Sequence, residues 1–266
     1  MEIAARYELK YVLPLTERDA LLARFVDRFQ PDTLGGPTGR YPVVSLYCDT
    51  LDRKCHWDAW RGVPSRRKLR LRLYGTKTGE TPAATFLEIK HRDGGEGAKR
   101  RVPLPTAQAC AFVNGGEVPT AANPATARII EEARRLVVDE GFRPACVIRY
   151  NRHAYRLVGS DGTEQLRITF DHDIHARFDD LIPHPEDDRC TLVVLEKGLC
   201  LMEVKGATAA PYDFAAYLSA RGIFPRSFSK YSESVRQYGA APTLSASCNS
   251  CHTSSLPMPP PPQPTP

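Results

Sequence analysis

The chain has 266 residues, of which 42% are hydrophobic and 25% charged, and 36 Lys and Arg against 31 Asp and Glu give a formal net charge of +5. This composition is typical of a soluble globular protein, and the charge is only a mild bias toward anionic partners. No stretch is apolar for long enough to span a membrane and "MEIAARYELK" does not resemble a signal peptide, so we expect a cytoplasmic protein. The eight cysteines are scattered, mostly in apolar runs, which predicts buried free thiols rather than a disulfide framework.

Short runs in which apolar and polar residues alternate follow one another along the chain and predict β-strands. In chain order they are "RYELKYVL", "YPVVSLYCDT", "RKLRLRLYG", "ATFLEIKHR", "KRRVPL", "ACVIRYNRHAYRLV", "QLRITFDHDI", "TLVVLE" and "LCLMEVKG". Between them, "RDGGEG" and "GSDGTE" predict hairpin loops, and Lys197-Gly198 predicts a tight reversal.

Four segments have helical patterns. "LTERDALLARFVDRF" offers Thr16 as a cap, and "NPATARIIEEARRLVVDEG" begins with Asn123-Pro124 and ends near Gly141. "PYDFAAYLSARG" and "SFSKYSESVRQYG" are the last two predicted helices, before a stretch rich in Pro and Ser. We therefore predict one mainly β (α+β) domain over residues 1–239 and a disordered tail over 240–266.

Most predicted strands carry long charged side chains on one face and aliphatic ones on the other. "KLRLRLYG" shows the pattern, and pairs of Glu and Lys two residues apart recur at Glu8/Lys10, Glu88/Lys90 and Glu203/Lys205. The charged face either lies in water or lines the inside of a closed barrel. The dominance of Arg, Lys and Glu over Thr, Ser, Gln and Asn favours the barrel, because such a surface suits a confined polyanion bridged by a divalent metal.

Eight short motifs follow one another along the chain: "ELKY", "SLYCDT", "LRLRLYG", "FLEIKHR", "RYNRHAY", "RITFD", "LMEVKG" and "SFSKYSESV". In this order they resemble the VTC domain, which is the catalytic domain of vacuolar transporter chaperone polyphosphate polymerases. That domain belongs to the triphosphate tunnel metalloenzyme superfamily. The resemblance covers roughly residues 6–238. It implies a closed antiparallel eight-stranded β-barrel tunnel with a few packing helices. It also implies transfer of the γ-phosphate of ATP to a growing inorganic polyphosphate chain, with Mn²⁺ or Mg²⁺ as cofactor.

The resemblance also implies which residues form the site. Basic residues for catalysis and phosphate binding would be Lys10, Arg70, Arg72, Lys90, Arg152, Arg167 and Lys230, and Lys205 on the same face as Glu203 is a further catalytic candidate. The metal ligand would be Glu203, with Glu88 as a second candidate carboxylate. The helical phosphate-sensing domain and membrane helices of the eukaryotic proteins have no counterpart here, so we expect neither inositol phosphate regulation nor transport.

Two other functions stay open. The first is hydrolysis of inorganic triphosphate, short polyphosphate or a nucleoside triphosphate, for which Glu88 or Asp171 could orient a water molecule. The hydrolase branch of the superfamily begins with E-x-E-x-K, however, whereas the matching "RYELK" has Arg6 in place of the first glutamate. A non-catalytic polyanion- or RNA-binding β domain would interleave aromatic with basic side chains. Only Tyr74 and Phe86 fit that pattern, so we expect no nucleic acid partner.

Three further patterns carry no prediction of a site. The histidines at 91, 153, 172 and 175 lack a consistent metal-ligand spacing and are interpreted as ordinary polar residues. "CNSCH", residues 248–252, matches a c-type haem attachment motif by chance, in a tail without flanking helices. Gly94, Gly95 and Gly97 form a hairpin loop and not a phosphate loop.

Overall fold

The structure, a computed structural model, describes residues 7–75, 85–94, 96–185 and 187–239. Its strands are β1 Tyr7–Pro14, β2 Phe29–Pro31, β3 Arg40–Asp49, β4 Arg66–Tyr74, β5 Thr85–Asp93, β6 Glu96–Leu104, β7 Arg143–Val158, β8 Glu164–Arg177, β9 Leu192–Val193 and β10 Leu199–Gly206. Its α-helices are α1 Leu15–Arg24, α2 Lys54–Trp60, α3 Thr106–Val113, α4 Pro124–Arg134, α5 Tyr212–Ala220 and α6 Lys230–Tyr238. A 3₁₀ segment covers Thr33–Thr38, and a π-helical turn, Arg135–Asp139, extends α4.

All ten strands of the described residues belong to one antiparallel sheet. Eight follow the order β1-β10-β8-β7-β3-β4-β5-β6, while β2 pairs with β7 and β9 pairs with β8. The sheet curls into a half-barrel, and the predicted mainly β (α+β) class is confirmed. The hairpins predicted at "RDGGEG" and "GSDGTE" join β5 to β6 and β7 to β8.

The predicted closed barrel is wrong. In the described part of the chain, β1 and β6 are the two edges of the sheet, and no backbone ladder joins them. The two halves meet instead through side chains, since Lys90 Nζ on β5 contacts Glu8 Oε2 on β1 at 3.0 Å. A ladder needs strands about 4.8 Å apart, whereas two long charged side chains placed end to end hold them further apart. We call this gap the open seam.

The convex face of the half-barrel is apolar and packs against helices. Leu69, Leu71 and Leu73 of β4 are buried in one core cluster with Phe112 of α3 and Leu136 after α4. A second cluster lies under α1 and α5, on the outer side of β1, β10 and β8. Much of the core therefore lies outside the curl, while the charged side chains of the strands point into its concave side, where Tyr47, Tyr150 and Tyr231 also belong to the first cluster.

Helix α6 does not cover the outside but enters the concave side. Its cap Ser229 accepts a hydrogen bond from the backbone N–H of Ser232. The next turn is fixed by Tyr231, whose ring stacks on Tyr47 at 5.4 Å and whose hydroxyl donates to Asp49 at 2.6 Å. These contacts position the first residue of the helix, Lys230, inside the curl.

The helix and loop predictions have mixed outcomes. Asn123 caps α4 by accepting from the N–H of Thr126, as predicted, but α1 begins at Leu15 after Pro14, so the Thr16 cap is wrong. Helices α2 and α3 were not predicted, and "TLVVLE" contributes only the two residues of β9. The cysteines of the described residues are all free, as predicted. The tail from residue 240, with Cys248, Cys251 and "CNSCH", lies outside the described residues.

Within the described residues, every helix is too short or too polar to cross a membrane.

Leu71→Ala tests whether the convex face is the core. Leu71 is 0% exposed, so its truncation should lower the free energy of unfolding by about 2–5 kcal/mol, measured by urea denaturation. Trp60→Ala is the control, because Trp60 is 72% exposed and its loss should cost less than about 1 kcal/mol. Equal losses in the two variants would contradict the placement of the core.

Candidate active site

Strand register places the predicted basic residues on the concave face. Directly opposed residues of antiparallel strands share a face, and Lys10 opposes Glu203, just as Arg152 opposes Asp171. Among the described residues, the basic side chains on this side include Lys10, Lys68, Arg70, Arg72, Lys90, Lys99, Arg101, Arg152, Arg156, Arg167, Lys205 and Lys230. The acidic ones include Glu8, Asp32, Glu88, Asp171 and Glu203. Positive charge is therefore in excess.

Four buried ionic side chains, Arg152, Asp171, Glu203 and Lys230, form what we call the central cluster. Arg152 Nε and Nη2 donate to the two carboxylate oxygens of Asp171, each at 2.7 Å. Lys230 Nζ lies 2.6 Å from Asp171 Oδ2 and 3.2 Å from Glu203 Oε1, so it bridges the two carboxylates. Arg152 Nη2 also approaches Glu203 Oε2 at 3.7 Å.

Glu203 is surrounded by cations. Besides Lys230 and Arg152, Lys205 Nζ contacts its Oε2 at 2.9 Å and Lys10 Nζ lies 4.0 Å from its Oε1. Burial alone would raise the pKa of Glu203, but these four cations outweigh burial and hold the pKa well below its usual range. Glu203 is therefore anionic at neutral pH.

A second ionic group lies on β4 and β5. Arg70 Nε and Nη2 both donate to Glu88 Oε2, at 2.9 and 2.6 Å, and Lys99 Nζ lies 3.3 Å from Glu88 Oε1. Arg70 Nη1 also donates to the Tyr47 hydroxyl at 3.1 Å. Burial raises the pKa of Tyr47, but the nearby cations, Arg70 first, prevail and lower it to about 8.

Arg72 and Lys68 lie on the same face without an acidic partner. The Arg72 guanidinium donates to the Ser45 hydroxyl at 3.2 Å and to the Tyr150 hydroxyl at 2.9 Å, and Lys68 Nζ donates to Ser229 Oγ at 3.0 Å. Among the described residues, no Asp or Glu forms an ion pair with either side chain. Burial lowers the pKa of Lys68 to about 8.

The remaining two predicted basic residues pair with separate carboxylates. Arg167 Nε and Nη2 donate to Asp32 Oδ2 at 2.9 and 2.8 Å, and Lys90 Nζ pairs with Glu8 at the open seam. The structure thus brings Lys10, Lys205 and the predicted members of the central cluster together. Arg72 joins them through Tyr150, whose ring lies 4.6 Å from Lys230 Nζ.

Sequence reasoning missed several parts of this arrangement. Asp171 was considered only as a residue that might orient water, yet it anchors both Arg152 and Lys230. Lys99 could have been found, since strand alternation places it opposite Lys90. The roles of Tyr47 and Tyr150 depend on the docking of α6, which no local pattern reveals.

The donor groups present fit a divalent metal that also binds substrate. Glu88 and Glu203 share no ion-pair partner, whereas Asp171 and Glu203 share Arg152 and Lys230. Opposite Glu203 in the sheet, Thr169 has a buried hydroxyl without a partner among the described residues. Within the described ranges no group of three or more His, Cys, Asp or Glu could hold a metal. Mg²⁺ is commonly held by one or two carboxylates together with substrate phosphates, and this donor set matches that pattern.

Comparison with known proteins identifies a matching family and solved structures with a similar fold. The sequence matches the VTC domain family over residues 5–238, and no curated protein matches it. Among solved structures, a putative adenylate cyclase from Bacillus halodurans has a TM-score of 0.52 at 13% identity, over 90% of this chain and 100% of that one. Another, from Vibrio parahaemolyticus, has a TM-score of 0.42 at 13% identity, over 86% and 97% of the two chains. At such identities the likeness concerns the fold alone.

Because the family match spans nearly all of the described residues, the chain belongs to the VTC domain family.

Proposed function

We propose that the protein is a cytoplasmic, metal-dependent polyphosphate polymerase that transfers the γ-phosphate of ATP to a growing polyphosphate chain on the concave face. The observation that carries the proposal is that, among the described residues, the buried Arg72 and the half-buried Lys68 have no ion-pair partner. Arg72 is only 6% exposed, and its hydrogen bonds to described residues go to neutral hydroxyls. Glu88 attracts Arg72 without contacting it, and a polyanion bound in the concavity would supply a direct counter-ion.

The basic residues would hold the phosphates in line. To phosphate binding we assign Lys10, Arg70, Arg72, Lys90, Arg152, Arg167, Lys205 and Lys230, all within the proposed domain of residues 1–239. Each charge-assisted contact is worth about 1.5–3 kcal/mol before desolvation. Phosphoryl transfer depends mainly on positioning and on neutralising charge, which such a row of cations provides.

The acidic residues would have two different tasks. Glu203 and Asp171 would hold Mn²⁺ or Mg²⁺, which when bound offsets charge on phosphate oxygens. Glu88, predicted as a second metal ligand, would in this proposal orient Arg70, which donates two hydrogen bonds to it. The Thr169 hydroxyl, buried beside Glu203, is free to hydrogen-bond a phosphate oxygen or a metal-bound water.

The occupancy of the carboxylates favours a phosphate acceptor over water. Both oxygens of Asp171 accept from Arg152, and both oxygens of Glu88 are engaged by Arg70 and Lys99. Burial raises the pKa of Glu88, but the surrounding cations, Arg70 first, prevail and hold it well below its usual range, so Glu88 is a weak base for activating water, and Asp171 would be taken up by the metal. The terminal phosphate of a polyphosphate chain is already ionised and needs no such base.

The geometry also argues against a nucleic acid partner. Tyr74 and Phe86 pack edge to face with centroids 5.7 Å apart, and the Arg101 guanidinium lies over the Phe86 ring at 4.6 Å. The two rings are thus used within the protein and do not form a stacking platform for bases.

A product assay tests the proposal. Purified protein is incubated with ATP and Mn²⁺ or Mg²⁺, and the products are separated by gel electrophoresis alongside assays of free phosphate and cyclic AMP. A ladder of long chains is expected. Free phosphate alone would indicate a hydrolase, cyclic AMP with pyrophosphate would indicate a cyclase, and unchanged ATP would contradict the proposed polymerase.

Glu203→Gln should reduce turnover of ATP at least 100-fold while ATP affinity changes by less than about tenfold, because the amide binds a divalent metal poorly but leaves the phosphate-binding cations in place. Turnover is measured in the product assay and ATP binding by calorimetry, with circular dichroism to verify folding. Full activity in this variant would remove the metal role of Glu203.

Arg72→Met and Arg152→Met should separate ligand binding from stability. Arg72→Met removes a buried charge without a carboxylate partner, so the free energy of unfolding should stay within about 1 kcal/mol of wild type or rise. Its affinity for inorganic tripolyphosphate should fall about 10- to 100-fold. Arg152→Met leaves Asp171 without its main partner and should cost about 3–5 kcal/mol. If tripolyphosphate affinity is unchanged in Arg72→Met, the concave face is not the binding site.

The affinity for tripolyphosphate should fall as the pH rises from 7 to 9. The pKa of Lys68 is lowered to about 8 in the free protein, and a bound phosphate favours the charged ammonium, so binding above pH 8 must first protonate Lys68. Calorimetry at pH 7, 8 and 9 should show a smaller fall for Lys68→Arg, which stays charged throughout.

Tyr47→Phe is the control for that measurement, because the pKa of Tyr47 is also lowered to about 8. Ionised Tyr47 would repel phosphate and contribute to the same fall. A pH profile that Lys68→Arg leaves unchanged and Tyr47→Phe flattens would assign the effect to Tyr47.

A further inference from the structure

The ammonium of Lys230 lies in the gap between the two carboxylates that would hold a metal. Its Nζ is 2.6 Å from Asp171 Oδ2 and 3.2 Å from Glu203 Oε1, and the Tyr150 ring lies 4.6 Å away. Divalent metals such as Mg²⁺ bind carboxylate oxygens at about 2.0–2.1 Å. If Asp171 and Glu203 held a divalent metal together, the metal would need the gap that this ammonium now fills.

The chain segment that carries Lys230 is held by two of the basic side chains of the concave face. Lys10 Nζ donates to the Phe228 carbonyl oxygen at 2.8 Å, and Lys68 Nζ donates to Ser229 Oγ at 3.0 Å. Both contacts use an ammonium that a phosphate oxygen would attract more strongly than a neutral oxygen does. Recruitment of Lys10 and Lys68 by phosphate would therefore loosen residues 228–230.

We propose that Lys230 is a built-in counter-ion that fills the metal position of the free protein, so that the divalent metal binds tightly only together with a phosphate ligand. The phosphate draws Lys10, Lys68 and then Lys230 onto its own oxygens, and the vacated gap between Asp171 and Glu203 accepts the metal. This coupling rests on the proposed function and adds the order in which its ligands bind. Reciprocal coupling of this kind typically changes affinity 5- to 150-fold.

The test measures binding of Mn²⁺ alone, from the electron paramagnetic resonance signal of the free ion. Wild-type protein should bind Mn²⁺ weakly, with a dissociation constant above about 1 mM, whereas Lys230→Gln should bind it at least tenfold more tightly. Lys205→Gln is the matched control, because Lys205 Nζ lies closer to Glu203, at 2.9 Å, but does not contact Asp171. It should change Mn²⁺ affinity less than threefold.

Two results would overturn the proposal. Equal tightening in Lys230→Gln and Lys205→Gln would mean that only the overall charge matters, and micromolar Mn²⁺ binding by the wild-type protein would mean that the gap is already accessible. Thermal melting checks the fold of each variant, and Lys230→Met, which keeps the volume of the stem, replaces Lys230→Gln if that variant unfolds. Since Mn²⁺ is the only ligand, the result does not depend on which product the enzyme makes from ATP.

Discussion

Buried positive charge on the concave face is the constraint on which the rest of the structure depends. The carboxylates of this face are each engaged by one or more cations, and cations still remain. Desolvating so many ions is expensive, and internal pairing offsets only part of that cost. Under the proposed function, a chain of negative charges bound on this face would offset the rest.

Stability therefore comes from the other side of the sheet. Two apolar clusters, one under α3 and α4 and one under α1 and α5, bury the outer faces of the strands. Some aliphatic side chains also lie in the charged rows, since Ile148 is in the row of Arg72 and Leu201 is opposite Asp171. Helix α6 likewise reaches both environments, because Tyr231 joins the apolar core while its neighbour Lys230 reaches the central cluster.

Strand alternation was enough to predict which side chains of a strand share a face, but not how the sheet ends. The faces of "KLRLRLYG" are as predicted, and so is the pairing of β5 with β6. Closure of a barrel depends on whether two distant edges approach within hydrogen-bonding distance, and parity says nothing about that. The place of Asp171 likewise escaped prediction, because its partners come from β7 and from α6, far apart in the chain. Thr16 failed as a cap because Pro14 already ends β1 in an extended conformation and Leu15 bonds Gly198.

Under the proposed function, the open seam bears on how a long polymer would reach its binding surface. A sealed bore admits a strand only by one end, so every exchange would require the whole strand to be threaded or withdrawn. Across the seam the two halves are joined by Lys90 and Glu8, a partly exposed pair worth about 0–1 kcal/mol. Parting that contact, together with those that residues 228–231 make with both halves, would let a polymer longer than the groove be laid in, or lifted out, from the side.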